Sequence, residues 1–147
     1  MILMHSRGTV ADMATYAHAD YDGDVLDAIT AELGEQVKCA TDAGIAAERI
    51  AIDPGIGFAK RPAQSLRVLA GLERLVRWGF PVVVGASRKR FIGELSGVAA
   101  PDARVFGSVG AAVAAYDRGA HIFRVHDVGP TRQALDVAAA IRAAGAA

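Results

Sequence analysis

Four short apolar runs, Met1–Met4, Arg49–Ile52, Pro81–Gly85 and His121–Val125, are each followed by a Gly- or Pro-marked loop and then by a stretch with helical spacing. The pattern reads as a βα unit repeated four times. In the first helical stretch Val25, Ile29, Leu33, Val37 and Ala40 recur every three or four residues, with Asp22 or Asp24 placed to cap its start and Gly44 to end it. The second carries Leu66, Leu69, Leu72 and Leu75 and stops by Gly79, ahead of Pro81. The third sets Val105 or Phe106, Val109, Val113 and Tyr116 on one face and ends at Gly119. The fourth starts near Pro130-Thr131, carries Leu135, Val137, Ala138 and Ile141, and frays into an Ala-rich tail.

Strands of continuous Val, Ile and Leu separated by helices belong in a parallel sheet with helices on its outer face, either a doubly wound sheet or part of a (β/α)8 barrel. In both, ligand-binding groups gather at the carboxyl ends of the strands. The polar and special residues fall there. His5, Arg7 and Gly8 follow the first strand, Asp53-Pro54-Gly55 the second, and Ser87-Arg88-Lys89 the third. Arg124 and His126-Asp127 close the fourth. No linker or low-complexity block divides the chain.

Composition narrows the function. At 147 residues, 52% hydrophobic and 22% charged, the chain is of ordinary globular make-up and long enough for one core. Its 16 basic and 16 acidic residues give a net charge of zero, so an anion site has to be local, and a general grip on nucleic acid or anionic lipid is not expected. No apolar run approaches the ~18 residues of a membrane span, and the Met1–Met4 run is too short for a signal peptide. A cytoplasmic location is the default expectation. Cys39 is the single cysteine and has no internal partner; helix filler is its expected role.

Several motifs fail on inspection. DYDGD at 20–24 lacks the Gly and Glu of a calcium loop, since Val25 and Ala31 stand there. Gly55-Ile56-Gly57 puts Lys60 where a dinucleotide fingerprint has its third glycine. His5, His18, His121 and His126 show no zinc spacing, and no metal ligands are assigned. Asp53 is either a turn former beside Pro54 or a ligand whose two oxygens suit parallel donors, such as a guanidinium or a 2-amino-pyrimidinone edge. The cations at 88–90 are either a solvated turn or, through Lys89 or Arg88, part of the ligand rim. Arg124, between Phe123 and Val125, would be expensive to bury without an anion, and phosphate or carboxylate, with His126 as second donor, answers that.

Together, MHSRGT at 4–9, DPGIGFAK at 53–60, GASRKRFIG at 85–93 and RVHDV at 124–128 closely resemble dihydropteroate synthase, in family order and across essentially the whole chain. The resemblance implies a (β/α)8 barrel that joins 6-hydroxymethyl-7,8-dihydropterin diphosphate to 4-aminobenzoate and releases diphosphate. It implies that Asp53 takes the 2-amino and ring N–H edge of the pterin and that Lys89 reaches its carbonyl edge. Met4, Phe58 and Gly85 would line the pocket, Lys60 would support the loop, and Ser87 would help place the aminobenzoate. Arg124 and His126 would bind the diphosphate, with Lys89, Arg124 and His126 as the catalytic group. Arg88 and Arg90 serve the aminobenzoate side or face solvent. The implied mechanism is dissociative: the C–O bond to diphosphate breaks, the arylamine attacks the cationic methylene, and the protein orients and stabilises the departing charge. Removing one such donor costs ~3–4 kcal/mol of barrier.

A whole barrel takes roughly 250 residues and eight strands. On the resemblance, residues 1–147 are therefore a partial pterin-binding domain, four consecutive βα units forming the C-terminal half of the barrel, and a truncated or split gene is the simplest account. Magnesium is expected for the full-length enzyme, with its asparagine ligand in the other half. The chain alone is expected to lack turnover and to self-associate, as a homodimer or otherwise, through uncovered edges. The alternatives are a non-catalytic pterin- or phosphate-binding half-barrel, or a corrinoid-linked methyltransferase relative, against which SRK and RVHDV argue. Val10 stands where the family has proline after RGT.

Overall fold

Ile29 and Leu33, one helical turn apart, are both fully buried, and with Val25, Leu26 and Ala40 they fix the inner face of helix α1, Val25–Asp42. Asp24 caps it: one carboxylate oxygen accepts the Leu26 N–H at 3.0 Å. This computed structural model describes residues 1–145.

Four parallel strands form the floor under the helices: β1 (Ile2–Met4), β2 (Ala51–Asp53), β3 (Val83–Val84) and β4 (Ile122–Phe123). β1 pairs with β2 so that Met4 faces Asp53, and β3 pairs with β4 so that Val84 faces Phe123. A single bridge between Ile52 and Val82 joins the two pairs, giving the spatial order β1-β2-β3-β4. The strands are shorter than the apolar runs predict. Arg49 lies in a 3-10 turn, Ala47–Arg49, and the third and fourth runs pair over only two residues each.

Strand alternation divides these residues between two faces. Leu3, Ile52, Val82, Val84 and Phe123 pack into the core with Leu26, Ile29, Leu33, Val68, Leu72, Leu75, Phe91, Ile92 and Ala115. The alternate positions Ile2, Met4, Asp53, Val83, Gly85 and Arg124 line a cavity on the other face. Ile2 there is 57% exposed, and Ile122, next to Phe123 in β4, is 44% exposed.

The helices differ from the sequence reading at four points. The second stretch divides into α2 (Pro62–Ala70) and α3 (Glu73–Val76) about Gly71, whose neighbourhood leaves no room for a Cβ: one would meet Leu26 Cδ1 at 2.2 Å. Its buried face runs through Val68, Leu69, Leu72 and Leu75, while Leu66 is 40% exposed. A helix not foreseen, α4 (Arg90–Ser96), buries Phe91 and Ile92 directly after the basic cluster. In α5 (Val105–Asp117) the buried residues are Ser108, Ala112 and Ala115; Val109, Val113 and Tyr116 are only half-buried, and Phe106 is 90% exposed. An Ala/Gly-rich helix packs through its small face, because that lets backbones approach. The last helix, α6 (Val128–Gly145), starts two residues before Pro130 and buries only Thr131, leaving Val137 and Ile141 exposed. The tail of the Ala-rich segment, residues 146–147, lies outside the described residues.

These assignments predict that Leu72→Ala lowers unfolding free energy by about 2–5 kcal/mol, the usual loss for a fully buried leucine, whereas Leu66→Ala costs under about 1 kcal/mol. Urea denaturation of the two variants distinguishes this packing from a single helix with both leucines inside.

Candidate functional site

The parallel strands end together, so the residues just past them share one rim. Parallel pairing carries on past β1, where the His5 N–H donates to the Asp53 carbonyl at 2.9 Å, and past β4, where the Arg124 N–H donates to the Val84 carbonyl at 3.0 Å. Two adjoining cavities open there. The first, about 200 Å³, is lined by Met4, Asp53, Phe58, Gly85 and Arg124 among apolar neighbours. The second, about 450 Å³, is a basic bowl lined by Gly85, Ser87, Arg88, Lys89, Pro101, Arg124, Val125 and His126. Gly85 and Arg124 belong to both.

Asp53 is 8% exposed, and one oxygen is engaged by the Gly55 N–H at 2.7 Å. Burial raises its carboxyl above the usual range, a push opposed by that N–H and by the charges of Lys60, Lys89 and Arg124. The turn reading of Asp53 is met by the bond from Gly55, and the same carboxylate lines the cavity. Lys89, the residue before α4, puts its ammonium 3.4 Å from the Phe58 ring centroid. Burial lowers its pKa, offset partly by Asp53. Ser87 Oγ lies 3.0 Å from His126 Nδ1 and accepts the His126 N–H at 3.2 Å, so it links the third and fourth loops.

Arg124 departs from the expectation of a buried cation. β4 ends at Phe123, and Arg124 is exposed beyond it, so this chain by itself imposes no burial cost on the cation. Its position on both cavities, not a burial cost, marks it. Arg88 is not a free rim cation: its Nε and Nη2 donate to the two Asp127 oxygens at 3.0 and 2.7 Å. That bond holds the Asp127 carboxyl below the usual range. Arg90 is exposed, with its guanidinium 4.9 Å from the Tyr16 ring centroid.

Lys60 also sits apart from the other site residues. It is 1% exposed and lines neither rim cavity. Its ammonium donates to the Gly55 carbonyl at 3.0 Å, the Phe58 carbonyl at 3.0 Å and His5 Nδ1 at 2.9 Å, using all three protons. Because Nδ1 accepts, His5 carries its hydrogen on Nε2, which donates to Glu32 at 3.0 Å. Glu32 also accepts from Arg7 Nε at 3.0 Å, and Arg7 Nη1 reaches the Asp20 carbonyl at 2.6 Å. Gly55 must be glycine: its φ is +66°, and a Cβ would meet the His5 carbonyl oxygen at 1.9 Å. The loop that carries Asp53 and Phe58 is thus pressed onto His5 and tied to α1 through Lys60. Glu32 has no role in the sequence reading. Its signal was an acid three residues after buried Ile29, on the edge of an apolar helix face.

Parallel strands with a recessed carboxylate and a basic bowl at their carboxyl ends define an α/β protein whose polar groups gather on one rim. Comparison with known proteins gives the class a family. The model of the pterin binding enzymes matches residues 1–126, and the chain belongs to that family. The dihydropteroate synthase of Synechocystis sp. is 41% identical over 141 residues, spanning 96% of this chain and 48% of that protein. The solved dihydropteroate synthase of Xanthomonas albilineans in complex with 7,8-dihydropteroate superposes with a TM-score of 0.87 at 43% identity, over 97% of this chain and 50% of that one. That of Thermus thermophilus in complex with 6HMPPP gives 0.86 at 44% identity, over 96% and 55%. The fold is therefore an α/β fold that matches those TIM-barrel enzymes, and the chain spans about half the length of the curated relatives it matches.

The buried relay sets a pH dependence. Burial and the Lys60 charge push His5 down to about 4, and burial pushes Lys60 down to about 7. Both groups hold fewer protons folded than unfolded, so both make stability rise with pH: His5 between about 4 and 6.5, Lys60 between about 7 and 10.5. Acidification from pH 6.5 to 4 therefore removes on the order of 3 kcal/mol through His5. Urea midpoints across this window should fall with pH in the native sequence, and His5→Gln should flatten that fall.

Proposed function

We propose that residues 1–147 are a partial pterin-binding domain: the C-terminal half of a (β/α)8 barrel, whose complete form condenses 6-hydroxymethyl-7,8-dihydropterin diphosphate with 4-aminobenzoate to give 7,8-dihydropteroate and diphosphate. The observation that carries this reading is the pair of cavities sharing Gly85 and Arg124, one holding a recessed carboxylate and the other lined with cations. A pterin diphosphate needs that adjacency: a flat heterocycle with parallel N–H donors on one side and a polyanion attached through one methylene on the other. Two solved relatives are named with 7,8-dihydropteroate and with 6HMPPP, and the Thermus thermophilus protein also with 4-aminobenzoate.

In this reading Asp53 accepts the 2-amino and ring N–H of the pterin, and Lys89 donates to its carbonyl edge. Met4, Phe58 and Gly85 wall the ring. Arg124 and His126 hold the diphosphate, and Ser87 places the aminobenzoate while orienting His126. Lys60 serves from below as the support of the Gly55–Phe58 loop. As the C–O bond breaks, charge collects on the leaving diphosphate, where preorganised donors are worth most. The arylamine then attacks the methylene, and no covalent enzyme intermediate is needed. Magnesium is expected of the full-length enzyme with its asparagine ligand in the other half; among the described residues no group of three His, Cys, Asp or Glu side chains is arranged to hold a metal, and no step is routed through one. Among the described residues no helix is long and apolar enough to cross a membrane; a cytoplasmic location goes with the folate-pathway reading and rests on that alone.

A second copy of the chain is the partner this reading adds. A groove of about 530 Å³ between α2, α4 and α5 is lined by Leu66, Leu69, Phe91, Ile92, Leu95 and Ala111, and Phe106, which precedes groove-lining Gly107 on α5, is exposed. A two-fold contact that covers the groove and this phenylalanine would take their apolar surface out of water. Phe106→Glu is expected to shift the protein toward monomer in sedimentation velocity, and an unchanged distribution would remove this face from consideration.

The site assignment predicts that Asp53→Asn and Lys89→Ala each weaken pterin binding by about ten-fold or more, as expected for loss of a buried charge-assisted contact. Calorimetry on the 147-residue protein tests this; unchanged affinity in both variants would sink the assignment. The chain alone is expected to show no turnover of pterin diphosphate with 4-aminobenzoate, and measurable dihydropteroate formation would contradict the half-site reading.

A further inference from the structure

Among the described residues Arg88 is one of two non-glycine residues in the left-handed region, with φ of +59°, a conformation unfavourable for a residue with a Cβ. Three groups hold it there. Its N–H donates to Ser108 Oγ at 2.9 Å, its carbonyl accepts from Arg104 Nη1 at 3.0 Å, and its guanidinium forks onto Asp127. The Arg88 and Asp127 side chains are 29% and 15% exposed, and the fork engages both carboxylate oxygens. On either side of this reversed residue stand the two groups of the third loop that matter. Ser87 turns to His126 on the fourth loop, and Lys89 turns to the Phe58 ring of the second. Asp127 directly follows His126, and its carbonyl accepts the Thr131 N–H at the start of α6.

We propose that Arg88 and Asp127 are a positioning pair that couples the Lys89–Phe58 side of the site to the Arg124–His126 side, so that an anion bound at the latter is felt at the former. This rests on the reading of the site given above. The guanidinium fork is occupied by Asp127, so Arg88 acts through its neighbours and not as a ligand contact. Loss of the clasp frees the backbone at Arg88 to leave the left-handed region, and Ser87 and Lys89 lose their opposed directions. The coupling is mutual: whatever orders the fourth loop orders the third.

Isotope-labelled full chain, followed by NMR, tests this in two arms. In Asp127→Asn, amide exchange at Arg88 is expected to rise about ten-fold and the Ser87, Lys89 and Phe58 resonances to move, while core amides at Ile29, Leu33 and Leu72 keep their protection. Asp127→Glu, which keeps the carboxylate, should restore most of the native behaviour. Arg88→Gly, which adopts the left-handed region freely but cannot form the clasp, should loosen Ser87 and Lys89 with the core intact, and it decides the matter if Asp127→Asn does not fold. Native exchange and native shifts at 87–89 in these variants would overturn the proposal. In the second arm inorganic diphosphate is titrated: the native chain should show shifts at Phe58, and Asp127→Asn should bind about five- to ten-fold more weakly without them. Equal affinity and equal Phe58 response in both would overturn the coupling. Failure of the native chain to bind diphosphate would instead overturn the site reading, with the exchange arm still deciding the role of the clasp.

Discussion

A lysine with about one hundredth of its surface exposed holds a proton in a protein interior only when its donors have acceptors, and even then burial pulls its pKa down, here to about 7. Lys60 meets that condition with two carbonyls of its own loop and the ring of His5, and the arrangement of the site follows from it. Its demand for acceptors folds Gly55 to Phe58 back over the ammonium. The fold-back presses Gly55 onto the His5 carbonyl and presents Phe58 to Lys89. It also fixes the His5 tautomer, which recruits Glu32 and, through Glu32, Arg7. One buried charge therefore connects helix α1, the loop after β1 and the loop after β2.

Strand alternation supplies the complementary constraint. In short parallel strands held in register, every second residue faces the helices and the others face the open side. Ile52 and Val84 are thereby committed to the core, and Met4, Asp53, Gly85 and Arg124 to the cavity. Carboxylate, aromatic wall and cations converge without any single loop having to reach across the molecule. The opposing clasp at Arg88 and Asp127 does for the third and fourth loops what Lys60 does for the first and second. The two devices differ in kind: one is a buried charge that must be satisfied, the other an unfavourable backbone conformation held by its neighbours.

Much of this was legible in the order of residues. The βα repeat, the parallel sheet and the polar rim at its carboxyl ends are written in local periodicity and in where loops begin. Asp53, Lys89, Ser87 and His126 could be named from motif and position. Helix faces were less legible. The small face of α5 carries little periodic hydrophobic signal, and the split at Gly71 depends on the Leu26 side chain from another helix. Arg124 was read through a burial penalty that this chain by itself does not impose, because whether a residue at the end of a strand is covered depends on what lies across from it.

The sequence by itself determined the alternation of strand and helix and the residue types at each strand end, because these depend on neighbours within one or two turns of chain. Only the tertiary structure decided which charges pair. Arg88 with Asp127 and Lys60 with His5 are contacts between residues 39 and 55 positions apart, set by register and loop path. The cluster Arg88-Lys89-Arg90 shows the division most plainly. Three like charges in a row become a clasp, a group at the cavity wall and an exposed cation over an aromatic ring, because a reversed φ at the first and the start of α4 after the second send them in different directions.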